Sequence, residues 1–207
     1  GIALSLCDQA TIAWVHGDYA LARARCEQAD AILVEIGDTL NIGWSRYYLG
    51  RLALSTSEIS TAIERCTESV TFFRNPEFKP GLASALCTLG KALCHNKQYD
   101  EARARLTESL SIRALFRHPQ EIAEALEALA QLSIAMDAPA RAVRLLGAAQ
   151  KLRDTAGTPL HPPDRAERDR IIAAARSRLG EDAFEAAWAA GRAMSIDEMV
   201  ALALAAD

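Results

Sequence analysis

Two short motifs in the sequence carry residue types that could do chemistry, and neither has the spacing that its chemistry needs. Cys94 and His95 are adjacent soft metal ligands, but consecutive helix residues point about 100° apart, so one ion would need further ligands from elsewhere. Gly90-Lys91 lacks the leading glycine and the following Ser or Thr of a phosphate loop. No HExxH motif and no nucleophile elbow is present. The sequence therefore predicts a non-catalytic chain without a cofactor or a metal.

Glu121, Glu124 and Glu127 are a third group that could do chemistry, because paired carboxylates can act as general acid and base. That role requires an environment that raises the pKa of one carboxylate, such as an apolar pocket. No such pocket is evident in the surrounding sequence, and like charges three apart on an alanine-rich helix are typical of a solvated surface. We expect these glutamates to face water.

The composition favours helices and argues against several functions. The 207 residues are 50% hydrophobic and only 6% aromatic, with abundant alanine. Lys and Arg total 23 against 27 Asp and Glu, a net charge of −4 that argues against nucleic-acid binding. No apolar run is long enough to span a membrane. The five cysteines lack zinc spacing and predict a reduced, cytoplasmic protein. Because the chain begins without Met and in mid-pattern, we expect it to be part of a longer protein.

Small residues recur at a fixed interval of 40 positions, which is the strongest pattern in the sequence. One set is Ala10, Gly50, Gly90 and Ala130, and a second is Ala22, Ala62, Ala102 and Ala142. Within each interval the apolar residues follow helical spacing. Small residues at these positions let two helix backbones approach to about 8–10 Å, so each interval predicts a pair of packed helices.

Turn signals divide the chain into these helix pairs. Breaks inside the pairs fall at His16–Asp18, Thr56-Ser57, Asn96-Lys97 and Asp137–Pro139, and breaks between pairs at Gly37-Asp38, Asn75–Pro80 and His118-Pro119. One helix pair cannot bury its own apolar faces, so pairs stack. The sequence therefore predicts an all-α fold, a right-handed α-solenoid of about four helical hairpins over residues 1–157. Residues 158–207 are predicted to form capping helices of the same domain, with a capping box at Ser195–Glu198.

The hairpins resemble tetratricopeptide (TPR) repeats, on the pattern Leu49-Gly50, Leu89-Gly90, Tyr99 and Ala102. The usual TPR unit has about 34 residues, so this repeat is longer. Residues 140–203 are similar to the closing segment of large bacterial regulators, the LuxR-type transcription regulators and the predicted signal-transduction ATPases of the STAND class, including the MalT-like group. The matching segments are ARAVRLLGAAQKLRDTAGTPLHPPDRAERD and LGEDAFEAAWAAGRAMSIDEMVALAL. The nucleotide-binding and DNA-binding modules of those regulators have no counterpart here.

The TPR resemblance implies a ligand groove lined by the first helix of each hairpin. Its frame places there Trp44, Tyr47, Arg51, Lys91 and His95. Aromatic rings beside cations are suited to an extended peptide or a small anionic effector. The alternative is that Trp44 and Tyr47 only fill the space between adjacent hairpins. In the same way, Trp188 packs the cap onto the last hairpin or docks a partner.

The resemblance implies a sensor or protein-interaction segment of a bacterial signalling or transcription regulator. Its partner would be a protein, a peptide or a small effector, with no direct contact to nucleic acid or membrane. The alternative is a stand-alone scaffold that forms a homodimer through its exposed ends or its outer face. A missing cap on the first repeat would leave apolar surface around Leu4, Leu6 and Ile12 for such self-association.

Overall fold

The computed structural model describes residues 1–205, with the side chain of Pro76 excepted, and shows eleven α-helices and no strand over that range. In chain order the helices are α1 (Ile2–Val15), α2 (Tyr19–Ile36), α3 (Thr39–Ser55), α4 (Ile59–Phe73), α5 (Lys79–His95), α6 (Tyr99–Phe116), α7 (Pro119–Ala135), α8 (Pro139–Ala156), α9 (Pro162–Leu179), α10 (Glu181–Ala193) and α11 (Ile196–Leu204). A short 3₁₀ turn, Pro76–Phe78, precedes α5. The predicted all-α fold is confirmed.

The 40-residue interval is visible in the backbone itself. The turn after each first helix contains a left-handed residue at the same repeat position, with φ of 79° at Gly17, 62° at Ser57, 61° at Lys97 and 61° at Asp137. The helices α2, α6 and α8 also end at a left-handed residue, at Gly37, Arg117 and Gly157. Three of these seven positions are glycine, the residue that enters this conformation without steric cost. The turns are closed by local backbone hydrogen bonds, such as Glu58 N–H to the Ala53 carbonyl oxygen at 2.8 Å, so the same turn forms around Ser57, Lys97 and Asp137 without glycine.

The chain divides into two compact units, and residues 1–96 form the first, unit 1. In unit 1 each second helix packs against the first helix that follows it, α2 against α3 and α4 against α5. The small residues are buried as their spacing predicts, with Ala10, Ala22 and Ala62 at most 2% exposed. At Gly50 an added Cβ would lie 2.5 Å from the Sγ atom of Cys66. The close approach of α3 to α4 therefore depends on the absence of a side chain at this position.

Unit 2 begins at Lys97 and contains helices α6 to α11. In unit 2, α8 and α10 cross closely at two glycines, each of which lies against the backbone of the other helix. A Cβ on Gly147 would lie 2.4 Å from the carbonyl oxygen of Trp188, and one on Gly191 would lie 2.1 Å from that of Arg144. Phe184, four residues before Trp188, is buried against Val143 on α8, as the spacing of the two aromatics predicts.

The last helix, α11, starts with the predicted capping box. The Ser195 hydroxyl accepts from the Glu198 N–H at 3.4 Å, and the Glu198 carboxylate accepts from the Ser195 N–H at 2.7 Å. The loop Thr158–His161 joins α8 to α9, and the domain boundary predicted there stays a prediction. The final two residues of the predicted cap, 206 and 207, lie outside the described residues. None of the helices in residues 1–205 is long and apolar enough to cross a membrane.

Candidate ligand-binding surface

An aromatic cluster on α3 lies at the centre of unit 1. Trp44 packs edge-on to Tyr47 with ring centroids 5.7 Å apart, and lies 6.2 Å from Tyr48. Phe73, at the end of α4, approaches Trp44 to 5.1 Å, and Phe78 follows at 6.5 Å from Phe73. We call these five residues the aromatic platform. Trp44 and Tyr48 are half-buried, so part of the platform faces solvent.

Two glycines make room for the platform. Phe73 is fully buried between α3 and α5, where an added Cβ would lie 2.9 Å from its ring at Gly43 and 2.8 Å at Gly81. The sequence places these glycines 38 positions apart, outside the 40-residue repeat, so the repeat pattern alone does not reveal them. Because the ring fills the gap between three helices, the half-exposed Trp44 is held on a rigid base.

Arg51 extends the platform with a positive charge, since it follows Tyr47 by one helical turn. Its guanidinium lies 3.5 Å from the centre of the Trp14 ring, close enough for a cation–π interaction. The Trp14 indole N–H in turn donates to the Ser55 hydroxyl at 2.8 Å. Burial raises the pKa of the Tyr48 hydroxyl, which keeps it protonated and able to donate a hydrogen bond. The surface thus pairs a fixed cation with a neutral phenol.

Helix α5 contributes the two remaining predicted residues. Lys91 occupies the same repeat position as Arg51 and is half-buried, while His95 is exposed at the end of the helix. Since α5 contacts α3, the two cationic positions stand on neighbouring helices. Tyr47 differs from the other four predicted residues, because only 8% of it is exposed, so it supports Trp44 from below.

The sequence prediction missed Tyr48, Phe73 and Phe78 as parts of this surface. Two of them carried usable signals. Tyr48 is four residues after Trp44 and therefore shares its helix face. Phe73 stands 40 positions after the buried Leu33, which marks a core slot at the end of each second helix.

In unit 2 the same slot is occupied by arginine. Arg113 and Arg153 follow Leu33 and Phe73 at the 40-residue interval, and both are buried, at 1% and 8% exposed. The Arg153 guanidinium donates two hydrogen bonds to the Glu127 carboxylate, at 2.7 and 2.6 Å. Arg113 donates to the Glu124 carboxylate at 2.8 Å. In unit 2 an ion pair therefore replaces the apolar packing of Leu33 and Phe73 that fills this slot in unit 1.

The expectation that the glutamates of α7 face water is wrong. The Glu127 side chain is only 12% exposed, and Glu124 is about one-third exposed. Both carboxylates serve as counter-charges for buried arginines of α6 and α8, which the spacing of the glutamates alone does not reveal. The Glu127 carboxylate raises the pKa of Arg153 against the opposing effect of burial, so the guanidinium stays charged.

A second concavity lies in unit 2, with a volume of about 300 Å³. It is bordered by α6, α7, α8 and the end of α11. Arg141 donates hydrogen bonds to the carbonyl oxygens of Ala203 and Ala205, at 3.1 and 2.9 Å, and so fastens α11 to α8 along this border. Arg103 is the other arginine of its lining. Arg141, one of the two arginines that line the cavity, thus holds α11 in place.

The cysteines belong to the core. All five are buried and free of disulfide bonds. Burial raises the pKa of the Cys26 thiol to about 12, so it carries little thiolate near neutral pH. Over the described part of the chain, no three His, Cys, Asp or Glu side chains are grouped so that they could hold a metal ion.

Comparison with known proteins supports the fold. Neither a protein-family model nor a curated protein matches the chain. Among solved structures it is similar to a putative kinesin light chain with nearly identical TPR-like repeats, a single-residue variant from Podosopora anserina. The TM-score is 0.64 at 20% sequence identity, over 91% of this chain and 92% of the other. The predicted hairpins are therefore TPR-like repeats, and the chain has a TPR-like repeat fold.

Proposed function

We propose that unit 1 binds an extended segment of a protein partner across α3 and α5. TPR-like repeats generally serve as protein-interaction scaffolds and are typically non-catalytic. The observation that carries the proposal is the half-exposed Trp44 on its rigid base, with Arg51 two helical turns further along the same helix. Large aromatic and arginine side chains dominate the energetics of protein interfaces.

The chemistry of this surface selects a peptide with an apolar or aromatic residue next to an acidic one. Trp44 offers a ring face for the apolar residue, and Arg51 and Lys91 offer charge-assisted hydrogen bonds to carboxylates. His95, exposed at the end of α5, adds a further polar contact. Tyr47 holds Trp44 in place without touching the ligand. A small anionic effector would meet the same cations.

We further propose that this interaction serves a bacterial signalling or transcription regulator in the cytoplasm. The similarity of residues 140–203 to the closing segment of LuxR-type and STAND-class regulators supports this assignment. In such a protein, binding of the partner to the repeats would shift the equilibrium between a resting and an active arrangement. The size of the shift would depend on how much more tightly the partner binds one arrangement than the other.

The proposal is tested by fluorescence polarisation with a labelled library of 12-residue peptides. Half of the library pairs an aromatic with two acidic residues, and the other half replaces the acids with lysine. We expect binding only in the acidic half. Trp44→Ala should weaken it by about 2 kcal/mol, or about thirtyfold, because it removes the ring face.

The matched control is Arg65→Ala, on the second helix α4 of the same unit. It should leave binding unchanged, whereas Arg51→Ala should weaken it. Circular dichroism verifies that each variant is folded. If the folded Trp44→Ala and Arg51→Ala variants bind every peptide as tightly as the parent chain, the surface assignment is wrong.

A further inference from the structure

The cavity in unit 2 is large enough for a small molecule, and part of its lining is apolar. Its volume of about 300 Å³ lies at the lower end of the range for ligand sites in proteins. Leu129 and Leu132 of α7 line it and are each only 3% exposed. Met136 and Leu204 add two exposed apolar side chains to the same lining. A ligand that fills this cavity therefore needs an apolar part.

The charged side chains of the lining favour an anion. Arg103 and Arg141 both line the cavity, and Asp100 is the one carboxylate among the described residues of the lining. These three side chains leave one net positive charge, which suits a monoanion better than a dianion. The hydroxyls of Thr107 and Ser133 already donate to backbone carbonyl oxygens of their own helices. The arginines are thus the donors suited to recognise a ligand.

The two arginines have partners of different strength. Arg141 donates to the carbonyl oxygens of Ala203 and Ala205, which are good acceptors. Arg103 donates to the Sδ atom of Met136 at 3.3 Å, and a thioether sulfur is a weak acceptor. A carboxylate instead forms charge-assisted hydrogen bonds with arginine, which are often bidentate. Replacing the sulfur contact by a carboxylate therefore favours binding at Arg103 and leaves Arg141 bound to α11.

We propose that this cavity binds a monocarboxylate with an aliphatic tail, of the class of medium-chain fatty acids. Arg103 holds the carboxylate, and the tail lies against Leu129 and Leu132, where its apolar surface leaves water. The end of α11 forms one wall of the cavity, so the bound ligand also stabilises that helix. The site goes beyond the proposed peptide surface, because all of its described lining residues belong to unit 2.

Isothermal titration calorimetry of the full chain with octanoate tests the proposal. We expect a dissociation constant below about 1 mM. Two further ligands separate the contributions of tail and charge, since n-octanol has the tail without the charge and acetate has the charge without the tail. Both should bind at least about tenfold more weakly than octanoate.

Two variants test the site itself. Arg103→Met keeps an apolar stem but removes the charge, and should weaken octanoate binding by about tenfold or more. Ala104→Phe fills the cavity from an exposed position of its lining and should abolish binding. The matched control is Arg105→Met on the same helix, because Arg105 pairs with Glu101 and is not part of the lining. It should bind octanoate like the parent chain, and circular dichroism verifies that each variant is folded.

Trp44→Ala separates this site from the peptide surface of unit 1. It should lose peptide binding and keep octanoate binding. Loss of octanoate binding in the folded Trp44→Ala variant would place the anion on the aromatic platform and overturn the proposal. Equal affinity of the parent chain for octanoate and n-octanol, or of the parent chain and Arg103→Met for octanoate, would overturn it as well. A parent chain that does not bind octanoate would do the same.

Discussion

Gly191→Ala tests whether the α8–α10 crossing holds the C-terminal helices in place. Helix propensity alone predicts that alanine stabilises α10 by about 1 kcal/mol over glycine. The structure predicts the opposite sign, since the new Cβ would lie 2.1 Å from the carbonyl oxygen of Arg144. That atom belongs to helical backbone, so it cannot turn aside as a flexible side chain would.

The magnitude follows from the distance that the helices must move. Ordinary contact with a Cβ begins at 3.4 Å, so α10 must retreat from α8 by about 1.3 Å. A shift of this size loosens the packing of Phe184, which is 2% exposed in its cluster with Val143 and Ala175. Overpacking of this kind costs about 3 kcal/mol. After the gain in propensity, the net destabilisation is about 2 kcal/mol.

Native-state hydrogen exchange of the α10 amides measures this loss directly. We expect exchange through opening of α10 to be about thirtyfold faster in Gly191→Ala. The control is Ala190→Gly, an exposed neighbour where only propensity acts and about 1 kcal/mol is lost. Gly147→Ala, whose Cβ would lie 2.4 Å from the Trp188 oxygen, should resemble Gly191→Ala. Slower exchange in Gly191→Ala than in the parent chain would refute this account of the crossing.

Three further predictions concern stability. Glu127→Gln leaves the buried Arg153 without its counter-charge and should lower the free energy of unfolding, measured in urea, by about 3–5 kcal/mol. The double variant Glu127→Leu with Arg153→Met removes both charges and should stay within about 1 kcal/mol of the parent chain. A mild effect of Glu127→Gln would show that the pair is solvated. In the folded state the pKa of the Cys26 thiol is about 12, against 9.0 for an ordinary thiol, so its contribution to stability is fully present below pH 9 and is lost as the pH rises from 9 to 12. The urea midpoint of the parent chain should therefore fall more steeply over this pH range than that of Cys26→Ala. Equal slopes in the two proteins would contradict the prediction. Ser195→Ala removes the cap of α11 and should destabilise that helix by about 1 kcal/mol, seen as faster exchange of its amides, with an unchanged rate arguing against the capping box.

The sequence was sufficient to predict the hairpins because their determinants are local. Small residues at a fixed interval, helical spacing of apolar residues and turn signals each act within about 20 residues of chain. The observed helices follow the same interval, with α3, α5 and α7 starting at Thr39, Lys79 and Pro119. The C-terminal cap was equally local, since Ser195–Glu198 forms its predicted box. Left-handed turns at Ser57, Lys97 and Asp137 were not predictable from residue type.

The candidate surface was predictable only in part. The repeat frame placed Trp44, Arg51 and Lys91 on first helices, but it could not show that Tyr47 is buried while Tyr48 is only half-buried. Exposure at these positions depends on the side chains of neighbouring helices. For the same reason the frame did not show Phe73 beneath Trp44.

Tertiary structure alone decided which partner each side chain meets in the core slot at the end of a second helix. The sequence shows leucine, phenylalanine and two arginines at one repeat position, Leu33, Phe73, Arg113 and Arg153. Burial of an arginine is tolerated only where a carboxylate from another helix meets it, as Glu127 meets Arg153. Helix spacing fixes the direction in which a side chain points, whereas the partner that it meets depends on how separate helices pack. The local pattern thus determined the repeat, and packing between helices determined which charges the repeat could bury.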